Sequence, residues 1–218
     1  MTGDVWLRSR RHLYVAAALL ALFAGLAGIA STGLLPGDQL LTRTLAGHED
    51  RLVRGINRLV SAPVWSLLIL AVVAGLWRWA GRGPALLLLA ASLSAEAATL
   101  VSKLLVDRQP PGRAEPDDWT DVAMFPSGHA VRATVTLGLL IATVAWQHPR
   151  WRWPASLASV VFLLAVGAAR VAAGAHWPSD VLGGYLLGAA WVCLSLGLSW
   201  RPRATRPALR PGEAAEAG

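Results

Sequence analysis

Six blocks of almost unbroken apolar residues decide what this chain can become: 13–30, 63–79, 84–106, 129–146, 153–173 and 181–200. Each approaches the roughly 20 residues that one helical crossing of a bilayer's hydrocarbon core requires. In that core every backbone N–H and C=O needs a protein partner, and a helix satisfies them within its own segment. The expected fold is therefore all-α, a polytopic membrane bundle of six transmembrane helices. Composition agrees where it discriminates. Of the 218 residues 55% are hydrophobic and 15% charged, against about a quarter charged in soluble domains. Trp77, Trp79, Trp146, Trp151, Trp153 and Trp200 fall at block ends, where amphipathic rings favour the interface. Arg8, Arg10 and Arg11 precede the first block as in a secretory leader. No clear small-residue cleavage site follows, so the block is assigned as a span.

A net charge of +7 and a sequence pI near 11.1 fit nucleic-acid binding in a soluble chain. Here the arginines sit beside spans, where they set topology and meet anionic head groups, so no nucleic-acid partner is expected. Arginines cluster before span one and in the second-to-third and fourth-to-fifth connections. They cluster again in the tail, with Arg201, Arg203, Arg206 and Arg210. Excess positive charge marks the cytoplasmic side, which places both termini there, in the cell (plasma or inner) membrane. Residues 38–60 form an expected interfacial helix, with Leu52, Ile56 and Leu59 at helical spacing. A connector lying on the membrane and a lip guiding lipid are both open readings of it. Residues 1–200 form one domain. The Pro-, Arg-, Ala- and Glu-rich tail, 201–218, is expected to be disordered. The single cysteine, Cys193, lies within the last span and allows no disulfide framework.

The connections after spans three and five share the other side, and they hold nearly all the chemistry. The first cluster runs from Lys103 through Asp107 and Arg108 to Pro110 and Pro111. Lys103 is the only lysine among 20 basic residues, and its compact ammonium suits a phosphoryl oxygen. A lysine snorkelling at a helix end is the plain alternative. The second cluster, Phe125-Pro126-Ser127-Gly128-His129, opens span four, where free N–H groups and the helix dipole favour an anion. The third holds Arg170, His176 and Asp180, with Pro178 marking a turn between the last two. A carboxylate on one imidazole nitrogen fixes the tautomer and leaves the other as a nucleophile. Asp180 as a helix cap is compatible with the same position.

In order and spacing these clusters resemble the type 2 phosphatidic acid phosphatase (PAP2) superfamily. Its signature is a lysine followed by Arg-Pro, then Pro-Ser-Gly-His, then Ser-Arg, five residues, His, three residues and Asp. Pro126 to His129 match fully, and Arg170, His176 and Asp180 match with Ala169 in place of serine. Pro110 stands where the family places its first arginine, and Arg108 is the nearest substitute, with Arg113 another. The resemblance implies a bacterial-type lipid phosphatase that uses no metal or other cofactor. It implies that His176 attacks phosphorus while Asp180 orients it and His129 protonates the leaving group. It further implies that Lys103, Arg108 and Arg170 bind the phosphoryl oxygens, aided by the backbone N–H groups of Ser127 and Gly128. The expected partners are a lipid phosphate (phosphatidate, phosphatidylglycerophosphate or a polyprenyl diphosphate) and membrane lipids.

Other charged or small residues receive plainer assignments. Glu96, seven residues before Lys103 in span three, is expected to make an interhelical hydrogen bond in its neutral form. Glu115, Asp117, Asp118 and Asp121 are expected to be solvated loop. Gly183, Gly184 and Gly188 form an expected packing face. A metal at His129, His176 and Asp180 competes poorly, because Lys103, Arg108 and Arg170 crowd positive charge there. A transporter is disfavoured by charges at span ends, and a haloperoxidase by six spans with short loops. The main rival is a lipid-phosphate binder without turnover, which Pro110 makes a real alternative.

Overall fold

The computed structural model describes residues 3–45, 47–48, 50–111 and 123–199, with side chains from residue 10 onward. Eight α-helices make up most of them: α1 (Gly3–Thr32), α2 (Asp38–Leu45), α3 (Arg51–Val60), α4 (Ala62–Trp79), α5 (Arg82–Val106), α6 (Gly128–Gln147), α7 (Arg152–Ala172) and α8 (Pro178–Ser199). Six segments are long and apolar enough to cross a membrane: Arg10–Thr32, α4, α5, α6, Pro149–Ala172 and α8. These coincide with the six apolar blocks. The expected tail and the acidic run lie outside the described residues.

Local chemistry sets the helix ends that matter. α5 stops at Asp107, whose φ of 44° and ψ of 48° are left-handed, one turn beyond Lys103. Ser127 immediately precedes α6, and the Val131 N–H reaches the Ser127 carbonyl at 3.1 Å. α7 ends in Gly174, with φ +64°. Such a left-handed residue after a helix satisfies its last carbonyls, and here the Ala175 and His176 N–H groups donate to the Arg170 carbonyl.

One expectation changes in detail. The interfacial segment is two helices, α2 and α3, with Gly47 at φ +83° between them and the Asp50 carboxylate capping α3 through Val53 N–H at 2.8 Å. Leu52 is exposed, whereas Ile56 packs on the core around Trp65 and Val166. α2 lies against α7 and α8, and α3 against α7, α4 and α6.

α8 is the central element, in contact with α1, α2, α5, α6 and α7. Lipid is as apolar as leucine, so close approach of backbones has to hold such a bundle. The glycine face provides it. A Cβ on Gly184 would sit 2.7 Å from the Ser127 carbonyl and from Ala130, and one on Gly188 2.7 Å from Thr134. Hydrogen bonds add cross-links, from Trp65 to Thr136 at 3.3 Å and from Trp191 to Ser94 at 2.9 Å.

Candidate active site

The three clusters meet at one end of the bundle. Lys103, His129, Arg170, His176 and Asp180 are each no more than 1% exposed, so polar residues fill this end of the core between α5, α6, α7 and α8. Arg170, Arg132, His176 and Lys103 are the charged or chargeable groups near the buried His129 ring. Both of its ring nitrogens lack a hydrogen-bond partner among the described residues.

The turn after α7 folds back so that the His176 N–H donates to the Arg170 carbonyl at 3.3 Å. From there the chain enters α8 through Pro178, whose fixed φ suits a first helical turn. Asp180 lies in that turn and reaches back, its Oδ2 accepting the Trp177 N–H at 2.8 Å. The same oxygen stands 3.7 Å from His176 Nδ1. Asp180 therefore caps the helix and faces the imidazole at once, as the sequence allows.

Lys103 Nζ donates to the Ala123 carbonyl, and the Met124 N–H donates to the Arg108 carbonyl at 3.0 Å. These two bonds tie the end of α5 to the start of the Pro-Ser-Gly-His segment. At that segment the Ser127 N–H is already committed, donating to the Asp180 backbone carbonyl at 2.9 Å. This corrects the expected phosphate contact from that amide. The donor left at Ser127 is its hydroxyl, buried without a partner among the described residues. Gly128 begins α6, where N–H groups of the first turn have no intrahelical acceptor.

Arg108 also differs from expectation. Its sequence position casts it as a phosphate ligand, yet both terminal nitrogens are held by protein. Nη1 donates to Asp180 Oδ1 at 2.6 Å and to Ser179 Oγ at 2.7 Å. Nη2 donates to Asp38 Oδ2 at 2.8 Å and to the Gly33 carbonyl at 3.1 Å. The guanidinium also lies 5.9 Å from the Trp177 ring centre. These charge-assisted bonds to two buried carboxylates commit the planar fork to protein partners. Arg113, the other substitute, lies outside the described residues.

Two residues that matter were missed or undervalued in the sequence. Asp38 begins α2 and is buried. Burial opposes its ionisation, but bonds from Ser179, Arg108 and the Leu35 and Ser179 N–H groups outweigh that and hold its carboxyl below the usual range. Arg132 lies three residues after His129 and pairs with Glu96, Nε to Oε2 at 3.1 Å and Nη2 to Oε1 at 2.9 Å. Glu96 thus makes a two-pronged ion pair, in place of the neutral hydrogen bond expected. Arginine and glutamate within apolar spans were the available signal, since ionisable groups there are rarely idle.

A family model described as the PAP2 superfamily matches residues 84–204. Among curated relatives, a lipid A 1-phosphatase of Rhizobium johnstonii is 36% identical over 97 residues, covering 38% of this chain and 36% of that protein. An undecaprenyl-diphosphatase of Sulfolobus acidocaldarius is 35% identical over 68 residues, covering 31% of this chain and 29% of that protein. The aligned stretches therefore span only about a third of these relatives. The crystal structure of a transmembrane PAP2-type phosphatidylglycerolphosphate phosphatase from Bacillus subtilis superposes with a TM-score of 0.75 at 22% identity. It covers 88% of this chain and 100% of that one, a likeness of fold.

Proposed function

This chain belongs to the PAP2 superfamily, and from that premise we propose that it is an integral membrane phosphatase removing phosphate from a lipid through a phosphohistidine on His176. The observation that carries the reading is the burial together of two histidines, a carboxylate and two cationic side chains, Lys103 and Arg170. Asp180 beside Nδ1 leaves Nε2 of His176 as the nucleophile. It attacks phosphorus in line, and the P–O bond to the lipid breaks as His129 gives the departing oxygen its proton, a transfer worth about 10²–10⁴ in rate. Water then attacks phosphorus, yields its proton to His129, and the P–N bond breaks to free phosphate and His176. Lys103, Arg170, the Ser127 hydroxyl and the Gly128 N–H stabilise the equatorial oxygens. The short connections and membrane-level site favour a lipid headgroup, either a monoester or a diphosphate. The arginine distribution supports a site on the extracytoplasmic side with both termini in the cytoplasm.

Phosphate release by purified protein in detergent with EDTA tests this, on phosphatidate, phosphatidylglycerophosphate, undecaprenyl diphosphate and lipid A carrying a 1-phosphate. Release that persists with EDTA and drops to background in His176→Ala is the expected result. Near-normal turnover by inserted His176→Ala overturns the phosphohistidine. A well-folded wild type that binds these lipids and releases nothing favours the silent binder.

A further inference from the structure

We propose that Asp38 is a positioning residue for the nucleophilic histidine, acting through Arg108 and Asp180, and that helix α2 is thereby a working part of the site. The inference rests on the phosphatase reading above.

Asp38 is 70 residues from Arg108 and 141 from Ser179, yet every oxygen of its carboxylate is used. Oδ2 accepts from Arg108 Nη2 at 2.8 Å, from Ser179 Oγ at 2.7 Å and from the Leu35 N–H at 3.0 Å, while Oδ1 accepts the Ser179 N–H at 3.0 Å. Asp38, Arg108, Ser179 and Asp180 are all buried. Arg108 Nη1 then holds Asp180 Oδ1 at 2.6 Å, which leaves Oδ2 toward His176. The Asp180 carboxylate is thus held on one oxygen by the arginine and on the other by the Trp177 N–H, and Asp38 shares in holding the arginine.

Charge gives the arrangement a second effect. Asp38, Arg108 and Asp180 together carry one net negative charge. An imidazole that attacks phosphorus becomes positive, and that negative charge stands against it. Arg108 paired with Asp180 alone would be a neutral couple, and Asp180 would lose much of its pull on His176. Asp38 restores the imbalance by drawing half of the guanidinium to itself. The displaced arginine of the first motif and the acid on α2 are then one device: two residues earlier than the family position, the side chain reaches carboxylates instead of phosphate.

The test compares wild type, Asp38→Asn, Arg108→Gln and the double variant in detergent, on whichever lipid the panel above identifies. It reads kcat together with inhibition by inorganic phosphate. Asp38→Asn is expected to lower kcat on the order of 10²-fold, the cost of misplacing a catalytic group by about 1 Å, with phosphate inhibition unchanged. Asp38→Glu recovers part of the loss. In the Arg108→Gln background Asp38→Asn adds little, because its effect runs through that arginine. Unchanged kcat in Asp38→Asn overturns the proposal. So do a parallel loss of kcat and phosphate inhibition, which makes Arg108 a phosphate ligand, and two losses that simply multiply. If Asp38→Asn fails to insert, Ser179→Ala removes one arm of the same network and is held to the same criteria with a smaller fall. A wild type that releases no phosphate defeats the phosphatase reading and this inference with it, whereas an active wild type with an indifferent Asp38 defeats this inference alone.

Discussion

Arg108 and Arg132 flank the histidines and are held in contrasting ways. Arg108 lies in a connection and bridges Asp38 and Asp180, whose side chains are 2% and 0% exposed. It joins the start of α2, the connection after α5 and the first turn of α8. Arg132 lies inside α6 and holds one acid on the neighbouring helix, Glu96, whose side chain is 31% exposed. That pair lines an apolar cavity of about 220 Å³ between α4, α5 and α6. A guanidinium with two enclosed acids is a keystone of the site. One with a single, half-open acid is a tie between helices. Removing the first leaves two buried carboxylates without that cation, while removing the second leaves one that is partly open to its surroundings.

The largest expected effect follows from that difference. Arg108→Ala should cost about 3–5 kcal/mol of stability, the range for breaking a buried pair from one side, and Arg132→Ala only about 1–3 kcal/mol. Replacing Glu96 and Arg132 together by leucine should return stability to near wild type, since an apolar pair can substitute for a buried ionic one. Thermal unfolding in detergent measures all three, and a costlier Arg132→Ala would invert the comparison.

Acid should separate the two sites next. The Asp38 carboxyl is held below its ordinary range in the folded chain. Its stabilising contribution is therefore complete above the usual aspartate value of about 3.9, and it is lost as pH falls through the lower, folded value. Unfolding followed from neutral pH into that acid range should show a drop in wild type that Asp38→Asn lacks. An identical pH profile in the two proteins would remove Asp38 from the network. The smallest effect sharpens the contrast from outside it. Gly174→Ala, at φ +64°, should cost about 1 kcal/mol. Because the turn is built on Arg170, its cost should add to that of Arg132→Ala; strong coupling would tie the two together.

Most of the bundle was legible in the sequence. Spans 63–79, 84–106 and 129–146 match α4, α5 and α6 to within two residues, because apolar length is a local property. The candidate residues were also legible as a set, and Lys103, His129, Arg170, His176 and Asp180 are all buried in the fold. The two-helix form of residues 38–60 was not, because it turns on the single left-handed residue Gly47. Arg108 and the Ser127 amide were misread for one shared reason. Motif spacing says which donors lie near the phosphate, and says nothing of acceptors arriving from elsewhere in the chain.

Sequence alone determined the helical class, the span count and the residues of the candidate chemistry. Hydrocarbon depth demands a minimum length of apolar helix, and Pro, Gly and capping residues mark turns within a few positions of themselves. Tertiary structure alone decided what those residues hold. Arg108 meets Asp180 across 72 positions, Asp38 meets Ser179 across 141 and Arg132 meets Glu96 across 36. A charged group in a dry interior is stable only beside its partner, and packing α2, α6 and α8 around the end of α5 selects that partner.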